Sequence, residues 1–116
     1  MNSRFIAGAS GALAVAFGAF GAHALKGRVS AEDLETWKTA SMYHFIHTLA
    51  ILFNSSKVSN RIPLSNKLLF SGMVVFSGSL YTLVLTSQKK LGAVTPIGGV
   101  LMIGGWIALA IENMDE

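Results

Sequence analysis

The sequence predicts an all-α polytopic integral membrane protein, with four transmembrane helices in a compact antiparallel bundle. Three observations lead to this fold class. Of the 116 residues, 52% are hydrophobic and only 13% are charged, which is too little polar surface for a water-soluble domain of this size. The charged residues separate four long charge-free runs, and helix-start signals lie near the borders of those runs. We expect one transmembrane domain over residues 1–116.

Each charge-free run has close to the length that a membrane crossing requires. In chain order the runs contain 21, 18, 21 and 21 residues, and a helix needs about 20 apolar residues to cross the hydrocarbon layer. Four crossings place both chain termini on the same side of the membrane. The numbers of Lys and Arg on the two sides are nearly equal, so they do not indicate the orientation. The spans are predicted at residues 5–25, 37–55, 65–87 and 93–111.

The first run also has features of a signal peptide, because Arg4 precedes it and the sequence Ala-His-Ala lies near its end. Its apolar core is longer than the roughly 7–15 residues that are usual in signal peptides. A transmembrane helix is therefore the preferred interpretation of this segment.

Capping residues predict where three of the helices begin. Ser30, followed three residues later by Asp33, resembles a capping box, so a helix should begin near Ala31 and continue into the second span. Pro63 is expected to open the third helix. Thr95, which precedes a proline, is expected to be the N-cap of the fourth helix.

Small residues at helical spacing predict the contacts between helices. Lipid tails are as apolar as leucine, so helices in a membrane associate through close packing and hydrogen bonds, and small residues allow that close packing. We expect Gly18 in particular to lie at a contact too tight for a large side chain. The predicted helix-packing residues are Gly8, Gly11, Gly18, Gly21, Gly72, Ser79, Gly98 and Gly105.

Two of the three histidines lie three residues apart in the second span. A helical projection puts Tyr43, His44 and His47 on the side opposite Phe45 and the leucines, which predicts that the histidines face the bundle. An ionisable residue in a membrane span indicates either a functional site or polar packing between helices. Tyr43, His44 and His47 are therefore candidates for either a ligand site or polar packing. We expect neutral His47 to bond a hydroxyl of the third helix, such as Ser79 or Thr82.

Other kinds of site are disfavoured by the composition. The chain has no cysteine, which excludes disulfides and thiolate chemistry. The two central histidines share one predicted helix and no acidic residue lies within a charge-free run, so neither a haem nor a metal centre is expected within one chain. The basic residues are scattered, which argues against a nucleic-acid partner. The sequence predicts no cofactor and no enzymatic activity.

Four stretches occur together in a fixed order: GAFGAHAL, WKTASMYHFIHTLA, FSGSLYTL and TPIGGVLMIGGWIALA. Their order and the chain length resemble the small membrane-protein family DUF423, which includes transmembrane protein 256 of animals, and the resemblance covers nearly the whole chain. It implies a four-helix membrane protein of the bacterial plasma membrane or of an organelle such as the mitochondrion, in its inner membrane. It implies no reaction and no catalytic residue.

Two functions remain open from the sequence. The favoured one is a structural or accessory subunit of a larger membrane assembly, such as a respiratory-chain complex, whose partners are the lipid bilayer and other membrane subunits or further copies of the chain. Short loops and glycine-rich helix faces favour this role. The alternative is a small module that binds or transports quinone, lipid or protons at His44 and His47.

Overall fold

The structure, a computed structural model, describes residues 2–55 and 61–114. The expected all-helical fold class is confirmed for these residues. Residues 56–60, between the second and third helices in the sequence, lie outside the described part. The elements are α1 (Ser3–Phe20), a π-helical turn (Gly21–Leu25), α2 (Ala31–Phe53), α3 (Leu64–Thr86), a 3-10 turn (Lys89–Ala93) and α4 (Thr95–Glu112).

Within residues 2–55 and 61–114, three helical segments are long and apolar enough to cross a membrane: Ser3–Leu25, Leu64–Thr86 and Lys89–Glu112. Helix α2 is not among them, although it has 23 residues. Its average hydropathy is lower, because its first two turns carry charged residues and its second half contains the polar side chains of His44, His47 and Thr48.

The helix ends follow the capping chemistry of the sequence in two cases and depart from it in one. Ser30 Oγ accepts a hydrogen bond from the backbone N–H of Asp33 at 3.0 Å, which caps α2 as predicted. Pro63 directly precedes α3. The prediction for Thr95 was wrong: it is the first residue of α4, and its hydroxyl bonds Ser79 Oγ at 2.6 Å instead of capping the helix.

The ends of the four helices meet in one polar cluster. Asn66 of α3 donates to Ser3 Oγ of α1 at 3.1 Å, and Asn54 after α2 donates to Asn66 Oδ1 at 3.0 Å. Glu112 at the end of α4 accepts from the backbone N–H of Ser65 at 3.1 Å, which places a carboxylate at the positive end of the α3 dipole. Because two helix starts and two helix ends meet here, consecutive helices are antiparallel.

Glycines bring α3 and α4 into backbone contact. A Cβ atom added at Gly72 would lie 2.6 Å from the backbone nitrogen of Met102 and 2.8 Å from the carbonyl oxygen of Gly98. One added at Gly105 would lie 2.8 Å from the Leu69 side chain. Close packing of this kind stabilises helix pairs in lipid. Gly98 is equally crowded, against the backbone of Phe76.

Helix α1 has fewer tight contacts than the sequence predicts. A Cβ at Gly21 would overlap the Trp37 ring, and one at Gly11 would meet the Thr48 methyl group at 3.7 Å. At Gly8 and Gly18, however, an added Cβ has no described atom within 4 Å, so the predicted tight contacts are missing there. The reason is the rotation of α1, which turns Ala7, Ser10 and Ala14 toward the other helices.

Candidate functional site

Two hydrogen-bond partners hold the His47 ring in one neutral tautomer, since one partner can only accept and the other can only donate. Its Nδ1–H donates to the backbone oxygen of Tyr43 at 2.8 Å, and its Nε2 accepts from the indole N–H of Trp106 at 3.1 Å. A carbonyl oxygen only accepts and an indole nitrogen only donates, so these partners select a single tautomer. The expected bond from His47 to Ser79 or Thr82 was wrong. Ser79 bonds Thr95, and Thr82 donates to the carbonyl of its own helix, four residues back.

His44 belongs to a separate network that joins three helices. Its Nδ1 lies 3.0 Å from the hydroxyl of Tyr81 on α3, and its Nε2 lies 3.1 Å from the hydroxyl of Ser10 on α1. Tyr81 also bonds Ser41 at 3.4 Å, and Ser10 lies 2.6 Å from the hydroxyl of Thr48. A hydroxyl both donates and accepts, so either tautomer of His44 satisfies this chain. The hydrogen bonds that run from Tyr81 through His44 and Ser10 to Thr48 can therefore point in either direction.

Aromatic packing fixes the position of the Tyr81 hydroxyl. The Tyr81 ring lies 4.6 Å from the Trp37 ring and 4.9 Å from the Phe17 ring, measured between centroids. The Trp37 indole donates to the backbone oxygen of Phe17 at 2.8 Å, which holds α2 against α1. Gly21 makes room for that indole. In the described residues every buried side-chain nitrogen and oxygen has a hydrogen-bond partner.

A lateral crevice lies between α1 and α3, with α2 behind it. Its volume is about 330 Å³, at the lower end of the range of about 300–1,000 Å³ for small-molecule sites. The side chains at its mouth are apolar and exposed: Phe5 is 60% exposed, Leu13 51% and Val74 51%. The polar side chains that line it are Ser10, His44, Ser77 and Tyr81.

The three candidate residues from the sequence therefore lie in two places. His44 and His47 are both buried, as the helical projection predicts, but they have separate partners and do not form one pair site. Tyr43 contributes its backbone oxygen and stacks its ring on His47, and its hydroxyl is in neither network. No group of three metal-ligating His, Asp or Glu side chains is found in residues 2–55 and 61–114.

Sequence reasoning missed Ser10 and Tyr81, the two partners of His44. The signal for Ser10 was available, because it is the one polar side chain between Phe5 and Ala22. Tyr81 follows Met73 and Ser77 at four-residue spacing, and this is the buried face of α3. Ser79 and Thr82, the partners expected from the sequence, lie on a different face of α3, and Thr82 is exposed.

One family model and several membrane proteins of known sequence match the chain. A family model described as "Protein of unknown function (DUF423)" matches residues 17–99. The chain is 49% identical over 104 residues to a UPF0382 membrane protein of Staphylococcus aureus (strain bovine RF122 / ET3-1), covering 87% of this chain and 85% of that protein. A UPF0382 membrane protein of Staphylococcus epidermidis is 46% identical over 105 residues, covering 88% and 86%. No solved structure matches the chain.

Proposed function

Because this chain belongs to the DUF423 family and its relatives are membrane proteins, we propose that it is a non-enzymatic, four-span protein of the bacterial plasma membrane, acting as a structural or accessory subunit of a larger membrane assembly. The relatives compared above come from Staphylococcus, which favours a bacterial membrane over the mitochondrial inner membrane. Their names give no support to a respiratory-chain complex as the assembly.

The direction of the helices supports α2 as the fourth span. The start of α1 at Ser3 bonds Asn66 near the start of α3, so these two apolar helices run in the same direction. A chain that crosses twice in one direction must return between the two crossings. Helix α2 makes that return, since Trp37 packs beside Gly21 after α1 and Asn54 bonds Ser65 of α3 at 2.8 Å.

The outer surface of α2 also suits lipid. In its second half the polar side chains of His44, His47 and Thr48 are buried against the other helices, whereas six large apolar side chains are exposed: Met42, Phe45, Ile46, Leu49, Leu52 and Phe53. At about 1.5 Å per residue, the part of α2 from Trp37 to Phe53 extends about 26 Å, close to the thickness of about 30 Å of the hydrocarbon layer. A low average hydropathy is compatible with a span when the polar groups are buried between helices.

The outer face of α1 is the observation that carries the accessory role. Gly8, Ala12, Ala16 and Ala19 are all exposed and follow one another at three- or four-residue spacing. Between Gly8 and Ala16 this is a small-xxx-small pattern, which lets a second helix approach the backbone closely. An apolar helix of another membrane subunit, or of a second copy of this chain, is the partner that such a face accepts.

Purification in a mild detergent tests this role. The wild-type protein should elute as a stoichiometric complex, and Ala12→Leu should release the partner because a large side chain keeps the helices apart. Val100→Leu is the matched control, since Val100 is 68% exposed on α4 and the substitution enlarges a different lipid-facing surface. The proposal would be contradicted if the wild-type protein elutes without a partner. It would also be contradicted if the Ala12→Leu protein still elutes as the complex.

A further inference from the structure

The crevice between α1 and α3 combines an apolar opening with a polar floor. Phe5, Leu13 and Val74 form its mouth on the surface that a bilayer covers. His44 lies at its base, inside the network with Ser10 and Tyr81. Few polar groups that converge within apolar walls are typical of small-molecule sites.

The polar side chains at the base of the crevice have more free hydrogen-bond acceptors than free hydrogen-bond donors. Ser77 donates its hydroxyl proton to the backbone oxygen of Ala40 at 2.8 Å, so the lone pairs of its oxygen remain. Tyr81 has one hydroxyl proton, which it donates either to Ser41 or to His44, so at least one lone pair of its oxygen is left over in both cases. A ligand that donates one hydrogen bond therefore fits this floor better than a ligand that only accepts.

The lining also defines the charge and shape of the ligand. No Lys, Arg, Asp or Glu is among the described residues that line the crevice, so nothing there balances a charged headgroup. The mouth opens among lipid-facing side chains, so the ligand enters from the hydrocarbon layer. A hydrocarbon chain between Leu13 and Val74 fills the apolar part and restores packing contacts that an empty crevice lacks.

We propose that this crevice binds an uncharged, hydroxyl-bearing amphiphile, with its hydrocarbon body between α1 and α3 and its hydroxyl donating to Ser77 or Tyr81. This ligand class includes long-chain alcohols, neutral glycerolipids and quinols. Gly78 on α3 also lines the crevice, so a substitution there tests ligand binding without altering the outer face of α1.

Photolabelling of the full chain in detergent tests the site. The probe is a long-chain primary alcohol with a diazirine in its chain, and the comparison probe is its methyl ether, which cannot donate. We expect cross-links on the crevice side of α1 and α3, competition by unmodified alcohol, and about two- to tenfold weaker labelling by the ether, as the loss of one hydrogen bond implies.

Two glycine substitutions provide matched variants. An added Cβ at Gly78 or at Gly18 meets no described atom within 4 Å, so both sites accept a larger side chain, but only Gly78 lines the crevice. Gly78→Leu should fill the crevice and remove the competable labelling, whereas Gly18→Leu should leave it unchanged. The proposal is overturned if labelling spreads over the exposed side chains of α4 without competition, if the ether labels as well as the alcohol, or if the two variants behave alike.

Discussion

At the scale of single residues, the two central histidines have different chemical roles despite their spacing of three. His47 lies between a carbonyl oxygen and an indole N–H, which permit one neutral tautomer. His44 lies between two hydroxyls, which permit both. His47 therefore has the character of a fixed structural link between α2 and α4, and His44 has that of an adaptable group beside a cavity.

Removal of the indole N–H should reveal the structural role of His47. Trp106→Phe leaves the buried Nε2 of His47 without its donor, and an unsatisfied buried acceptor costs about 1–3 kcal/mol of the unfolding free energy. In a His47→Leu background the same substitution should cost clearly less, because no acceptor is left unpaired. Denaturation of the four proteins in detergent gives this double-mutant cycle. Additive losses would show that the bond between Trp106 and His47 contributes nothing.

The helical projection of α2 was sufficient to predict that both histidines face inward, because polar and large apolar residues separate cleanly around that helix. The partners were not predictable from the same pattern. They depend on the rotation of α1, α3 and α4 about their own axes, and most faces of those helices are apolar and alike in sequence. Thr82 was a wrong partner for His47 because a threonine that bonds its own helix carbonyl can face outward.

At the scale of helix pairs, α3 and α4 form a tight interface, whereas α1 and α3 form an open one. Helices α3 and α4 are in backbone contact at Gly72, Gly98 and Gly105. Helices α1 and α3 are joined at their starts through Ser3 and Asn66 and then separated by the crevice. Glycine has two roles here. On α3 and α4 it allows the two helix backbones to touch, and at Gly8 on α1 it leaves part of the outer surface free of large side chains.

Alanine substitutions should distinguish these two kinds of glycine. Gly72→Ala places a methyl group 2.6 Å from a backbone nitrogen of α4, and overpacking of this kind typically costs about 1–3 kcal/mol of stability. Gly78→Ala, on the same helix, meets no described atom within 4 Å and should be neutral or stabilising by up to about 1 kcal/mol, because alanine favours helix. Unfolding in detergent measures both changes. Equal stability of the two variants would rule out the tight α3–α4 interface.

At the scale of the whole molecule, the two ends of the bundle are held by different chemistry. One end is polar, where Asn54, Asn66 and Glu112 connect the helices. The other is closed by Leu25, Trp37, Tyr81 and their apolar neighbours. Sequence periodicity and capping predicted the order and approximate limits of the helices, because these depend on local patterns. The polar end was not predicted, since it requires side chains far apart in sequence to meet.

This arrangement leads to a prediction about topology. If α2 crosses the membrane, Asn2 lies on one side, and Gly27 and Lys89 both lie on the other. The chain has no cysteine, so single cysteines at these three exposed or half-buried positions can be labelled in intact cells with a membrane-impermeant maleimide. We expect Gly27→Cys and Lys89→Cys to share one labelling pattern and Asn2→Cys to show the opposite one, whichever way the protein is oriented. Labelling of Asn2→Cys and Gly27→Cys from the same side would mean that α1 does not cross. If Gly27→Cys and Lys89→Cys differed, α2 would not cross and the protein would have three spans.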